Sequence, residues 1–261
     1  MTAVDRALLE IADIEIEGRL WDSSNSAMRV LCHDNGVAVR AVYKPQRGER
    51  PLWDFPTGTL GKREVATGVV DHLLGWDIVP PTVWRDDGPM GAGSLQAWVD
   101  ADQARAPVDV IDVDRLDESW IVVAEGEGAR GDHVCLVHED SKALKRVALL
   151  DVIVNNADRK GGHVLRGGDG SVTGIDHGLT FHLEPKLRTV LWGWSGQAID
   201  DGDQADLLRL ASDWASVQTL LEPLLITSEI GAARDRLDAL LESAAFPHPE
   251  GAWPALPWPA M

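Results

Sequence analysis

Within one short stretch, IVNNADRKGGHVLRGGDGSVTGIDHG, residues 153 to 178, fall Asn155, Asn156, Asp158, His163 and Asp176. Carboxylates, an imidazole and amides at such spacing can hold a divalent cation and orient a hydroxyl, which is what moving a phosphoryl group requires. A polar surface loop has much the same composition. The elements that carry these residues decide between the two readings.

The stretch follows SKALKRVALLDVIVNN, where Ser141 suits an N-cap and Leu144, Val147, Leu150 and Val154 share one helical face. The polar residues therefore begin where a core helix ends. Upstream, after a short helical lead-in at Ala7 to Ile11, IEIEGRLW, AMRVLCH and GVAVRAVYKP alternate as strands. Asn35-Gly36 between the second and third supplies the positive backbone angles of a tight antiparallel hairpin. Lys44 lies near the end of the third strand. Residues Leu60 to Leu74 place Val65, Val69 and Leu73 on one helical face, with Gly75 as the stop and Glu64 in the first turns. TVWR and SLQAWVD read as a further strand pair across the turn DDGPMG.

From 101 to 140 the chain is rich in Asp and Gly, with a small hairpin expected between Trp120–Ala124 and Val134–Val137. Beyond Gln204 come amphipathic helices, then the tail FPHPEGAWPALPWPAM, whose prolines forbid a continuous helix. Trp192 and Trp194 are spaced like one face of a strand and are expected to be buried. The fold class these elements give is α+β and bilobal: residues 1–100 form a small antiparallel-sheet lobe with one helix, and residues 101–261 a mainly helical lobe; the order of the charged residues along them makes it protein-kinase-like.

In protein kinases the catalytic Asp precedes a metal-binding Asn by five positions, and a second metal-binding Asp follows later beside a Gly. Asp158, His163 and Asp176 keep that spacing, with His where Asn is usual. Lys44 on a strand end is placed to contact nucleotide phosphates, and Glu64 on the next helix to pair with it. Between the first two strands, Ser23, Ser24, Asn25 and Ser26 bring small hydroxyl and amide groups that, with backbone N–H groups, can close over phosphates. Arg40, Lys44, Arg47, Arg50, Lys62 and Arg63 gather positive charge in an otherwise acidic chain, a field that favours a polyphosphate and equally describes a solvated rim.

A formal charge of -18 argues against coating nucleic acid or an anionic membrane. With Cys32 and Cys135 the only cysteines, there is neither a disulfide framework nor clustered zinc spacing, so a cytoplasmic location is expected. No segment is apolar enough to span a bilayer, so integral membrane association is not expected.

Lys44, Glu64, VNNADRKGGH, IDHGLTFH and KLRTVLWGW together make the chain resemble the phosphatidylinositol 3- and 4-kinase-like group of atypical kinases, and within it a bacterial branch. The resemblance covers nearly the whole chain and weakens in the tail. The order Asp158-Arg159 matches this group, and HipA-like kinases, rather than the H-R-D of ordinary protein kinases. It implies ATP and Mg2+ or Mn2+ as cofactors, with Asp158 as catalytic carboxylate, Arg159 beside it among the catalytic residues, and Asp176 and His163 on the metal. It also implies that Gln96, Ala97 and Trp98 form the connector that hydrogen-bonds adenine. Imidazole suits magnesium less well than an amide oxygen, which points towards manganese, a single metal or slow turnover.

The expected activity is ATP-dependent transfer of a phosphoryl group to a hydroxyl acceptor. Lacking a basic amphipathic helix or polybasic run, the chain is expected to take a soluble acceptor, protein or small molecule, rather than a lipid. Lys186 and Arg188 have two readings, contact with an anionic acceptor or a structural role. The rival functions are a nucleotide-binding regulatory protein without transfer, a nucleotidyl transferase on the same fold, and an unrelated hydrolase in which Asp158, His163 and Asp176 bind metal alone.

Overall fold

A computed structural model describes residues 6–20, 26–250 and 253–261. Ser23, Ser24 and Asn25 of the expected phosphate-covering segment lie outside the described residues.

Helix α1 (Arg6–Ile11) leads into β1 (Asp13–Arg19), β2 (Met28–Asp34) and β3 (Val37–Pro45). Asn35 and Gly36 both take positive φ, 48° and 81°, as the primed hairpin turn between β2 and β3 demands. After α2 (Leu60–Leu74) come β4 (Thr82–Arg85) and β5 (Gly93–Ala97), completing an antiparallel sheet in the order β1-β2-β3-β5-β4. Alternation sorts its faces: Val30, Cys32, Ala41, Tyr43, Leu95 and Ala97 pack with Leu9 and Ala12 into one small core. Val42 and Lys44, one residue out of phase with Ala41 and Tyr43, turn to the other face and line the cleft.

Helix α2 ties this lobe to the second. Its Ala66, Val69, Val70 and Leu74 belong to the large core that also holds Leu144, Leu149, Ile153, Trp194, Leu207 and Leu237. That core unites α3 (Lys142–Val154), α4 (Asp201–Ser212), α5 (Trp214–Leu221) and α6 (Thr227–Ser243). Two small sheets complete the lobe: β6 (Val108–Asp112), β7 (Trp120–Glu127) and β8 (His133–Glu139) in the order β6-β8-β7, and the hairpin β9 (Val164–Arg166) with β10 (Val172–Gly174). The β7–β8 hairpin matches the sequence reading. Strand β6 does not, because its buried Val108 and Ile111 are too few to mark a strand by alternation.

The expected strand through Trp192 and Trp194 is a short 3-10 turn instead. Trp194 is fully buried there, and its Nε1 donates to Asp140 Oδ1 at 3.1 Å. The tail folds back on the second lobe, where Ala255 and Ala260 carbonyls accept from the Thr189 and Gly161 amides at 3.1 and 2.8 Å. Among the described residues, no helix is long and apolar enough to cross a membrane.

Candidate functional site

Ser141 Oγ accepts from the Leu144 amide at 3.3 Å and starts α3; Asn155, left-handed with φ of 53°, ends it. The chain therefore leaves the core abruptly at the polar stretch. Asn156 Oδ1 accepts from the Asp158 amide at 3.0 Å and sets the turn that presents the Asp158 side chain, about a quarter exposed and 3.0 Å from Lys160 Nζ.

From the opposite wall comes Lys44. Its Nζ donates to Glu64 Oε1 and, at 2.9 Å, to Asp176 Oδ1. Glu64 is itself buried, and its other oxygen accepts from Ser94 Oγ at 3.3 Å. Burial alone would lower the Lys44 pKa, but the charges of Asp176 and Glu64 outweigh it and hold the ammonium well above its usual range. Lys44 in turn holds the Asp176 carboxyl well below the usual carboxylate range. Glu64, desolvated and facing the Asp176 charge, is pushed up to about 6 despite Lys44. Asp176 has φ of 57°, a left-handed conformation that costs a non-glycine residue on the order of 1 kcal/mol and that functional sites commonly retain.

His163 completes the group. Its Nδ1 donates to the Asp158 carbonyl at 3.0 Å, so in the neutral ring Nε2 carries the lone pair, and that atom stands 3.4 Å from Asp176 Oδ2. Burial lowers the ring's pKa and so favours its neutral form, although Asp176 opposes this. Two acceptors facing each other repel unless a cation lies between them, and a ligating imidazole typically donates its other N–H to a carbonyl. The pair therefore fits a divalent ion. Among the described residues no group of three or more His, Cys, Asp or Glu forms a metal cage, so further ligands would have to be water or phosphate oxygens.

Lys44 and Asp176 are shared by two cavities. One, of about 630 Å³, lies under Leu20, Ala27 and Val42, over Leu165 and Ile175, and includes His163. The other, of about 270 Å³, contains Asp158, Glu64, Ser26 and Arg50.

Several expected site residues stand elsewhere. Arg159 is fully buried: Nε and Nη2 grip Asp151 at 2.8 and 2.9 Å, Nη1 donates to the His163 and Ile175 carbonyls, and Nη2 also donates to His177 Nε2 at 2.7 Å. It braces both polar loops and reaches neither cavity, which corrects its expected catalytic role. Gln96, Ala97 and Trp98 do line the larger cavity, as expected of the connector, and Val99, Asp100 and Ala101 extend its edge. Three of their donors are nevertheless spent within the fold: Gln96 Nε2 donates to Thr82 Oγ1, the Ala97 amide to the Pro81 carbonyl and the Trp98 amide to the Arg40 carbonyl.

The basic run disperses as well. Arg40 pairs with Glu17 at 3.1 Å, Arg63 is buried against Glu229 and the Thr180 carbonyl, and Lys62 lies over Trp84; only Lys44 and Arg50 of the set line a cavity. Lys186 is buried against Asp54 at 2.8 Å, and Arg188 Nε donates to the Ala157 carbonyl at 2.7 Å, so both have structural partners. Asp151 was missed in the sequence, yet a carboxylate within the apolar run LLDVIV was its signal.

The molecule is thus an α+β protein of two lobes, with the Lys44 ammonium and the Glu64, Asp158 and Asp176 carboxylates around the cleft. The chain belongs to the same family as Protein Rv2133c of Mycobacterium tuberculosis (strain ATCC 25618 / H37Rv), to which it is 43% identical over 269 aligned positions, spanning 98% of this chain and 95% of that protein. No family model matches the sequence. Among solved structures, the proinflammatory kinase CtkA of Helicobacter pylori superposes on 91% of this chain and 94% of its own with a TM-score of 0.46 and 10% identity, a likeness too distant to decide activity.

Proposed function

We propose that the chain is an ATP-dependent phosphotransferase of the atypical, phosphatidylinositol 3-/4-kinase-like kind. The observation that carries this reading is the position of the Lys44 ammonium, which bridges Glu64 and Asp176 at the seam of two cavities. The larger cavity would take the nucleoside, its adenine edge against Val99 to Ala101, and the smaller the acceptor.

In this reading Lys44 holds the phosphates and offsets charge that spreads over the γ-phosphoryl oxygens, with Glu64 fixing its position. Asp176 and His163 would hold magnesium or manganese, which supplies charge neutralisation at the phosphate oxygens. Asp158 orients the acceptor hydroxyl. Its oxygen bonds to the γ-phosphorus as the β–γ bridging P–O bond breaks; ADP leaves with the electron pair, and the hydroxyl proton passes to the Asp158 carboxylate. Ser26, on the wall beside Lys44, would face the phosphates.

Incubation with γ-labelled and α-labelled ATP, with magnesium or manganese, tests the reading. Transfer of the γ label alone is the expected result. Transfer of the α label would make the chain a nucleotidyl transferase, and binding of ATP without release of either label would make it a regulatory nucleotide-binding protein.

A further inference from the structure

The acceptor side of the cleft differs from an open peptide groove, and the cause is the connection between β3 and α2. Phe55 is buried with Leu60, Ala157 and Leu179, so this first-lobe segment packs directly beside Asp158. Asp54 follows it across: its carboxylate meets buried Lys186 at 2.8 Å, and its carbonyl accepts from His182 Nε2 at 3.0 Å. Phe55 also meets the His182 ring edge-on at 5.2 Å. Trp53 and Trp253 stack at 6.0 Å, with the Lys186 ammonium 4.9 and 4.4 Å from their ring centres. An apolar contact, a buried ion pair and an aromatic cage thus clamp one connection onto residues 179–186, the stretch that follows the metal-site Asp.

What remains beneath is the 270 Å³ cavity, walled by Ser26, Arg50 and Asp158 on its polar side and by Leu52, Leu60 and Leu179 on its apolar side. Pockets for drug-sized ligands run from about 300 to 1,000 Å³, so this one suits a smaller molecule. A polypeptide would need an extended groove in which to lay backbone on both sides of the accepting residue, whereas here Phe55 packs on Ala157, next to Asp158, and Asp54 is tied to Lys186 and His182.

We infer that the phosphoryl acceptor is a compact hydroxyl compound, of monosaccharide or amino-alcohol size, enclosed beneath the β3–α2 connection, rather than a protein side chain. This rests on the phosphotransferase reading and names its substrate class. The balance is that of the transfer above: the compound's hydroxyl oxygen gains the phosphoryl group, Asp158 takes its proton and ADP leaves.

The test incubates the full chain with γ-labelled ATP and metal, and with either a deproteinised cell extract or the dialysed protein fraction of the same cells. Ultrafiltration then separates the products. New labelled compounds in the filtrate, distinct from ATP and inorganic phosphate, are expected. Label confined to retained protein overturns the inference while leaving the phosphotransferase reading intact; ATP binding with no new label in either fraction overturns both. Absence of ATP binding removes both. Leu52→Trp, at a partly exposed position where the fold tolerates bulk, fills the cavity; it is expected to cut small-molecule labelling at least tenfold with ATP affinity unchanged. Undiminished labelling would overturn the assignment of this cavity.

Discussion

Two clusters of buried charge lie on either side of the Asp158 turn, built from the same kinds of group. In one, Arg159 and Asp151 are both completely excluded from water; each guanidinium nitrogen has a partner, Asp151 Oδ1 also accepts from Asn156, and the charges cancel. In the other, Lys44 faces two carboxylates, Glu64 and Asp176, and the Asp176 side chain is 46% exposed. The first cluster is complete and holds loops together. The second has one more carboxylate than ammonium, with the His163 imidazole beside it, which is the charge state that the proposed cation site needs. The difference between a brace and a binding site is therefore whether the charge closes within the protein, not which residues are used.

Breaking the closed cluster should give the largest effect. Asp151→Ala strands the Arg159 charge in the core and is expected to cost about 3–5 kcal/mol in urea unfolding; a loss under about 1 kcal/mol would show that the pair is not a brace. Breaking the open cluster should spare the fold and remove the chemistry. Lys44→Met is expected to lower γ-phosphoryl transfer by at least about a hundredfold, near 2.7 kcal/mol, with the circular dichroism spectrum retained. Retained metal-dependent activity in this variant would favour a hydrolase that works without the ammonium.

Asp71, a buried carboxylate outside both clusters, sharpens the contrast. Asp71 accepts from the Val79 amide at 2.9 Å, its other oxygen has no partner, and burial pushes its carboxyl up to about 7; the Val79 and Ile78 amides oppose this, the Asp77 charge adds to it, and Arg146 opposes it. The folded chain thus holds a proton that the unfolded chain releases. This contribution to stability is complete below about pH 4 and is lost as pH rises through about 7, by on the order of 4 kcal/mol. Asp71→Asn should flatten that dependence in denaturation curves taken across this range, and an unchanged slope would place the proton elsewhere. The smallest effect belongs to the helix that carries Asp151: Ser141→Ala removes the α3 cap and should cost about 1 kcal/mol by thermal melting, with transfer kinetics unchanged.

The parts of this arrangement that local physics dictates were legible in the sequence. Asn35-Gly36 fixed the hairpin, alternation through Val42 and Lys44 fixed which side chains turn to the cleft, and the apolar period of Leu144 to Val154 placed the Asp158 turn at a helix end. What was not legible depends on distant partners. Asp151, eight residues before Arg159 in the apolar run LLDVIV, is marked by the sequence as a buried carboxylate but not as the partner of that guanidinium, and Lys186 reads as an exposed cation until Trp53 and Trp253 close around it. Backbone donors behave likewise: whether Ala97 and Trp98 are available is decided by Pro81 and Arg40, which no local pattern connects to them.

The account rests on Lys44, Asp176 and His163 sharing one metal-bound triphosphate, and calorimetric titration of ATP into the wild-type chain and Asp176→Asn, with and without manganese, tests it most directly. The account predicts binding to the wild type that strengthens when metal is present, and loss of that metal-dependent gain in the variant. Equal metal-dependent binding by both proteins, or no binding by the wild type, would contradict it.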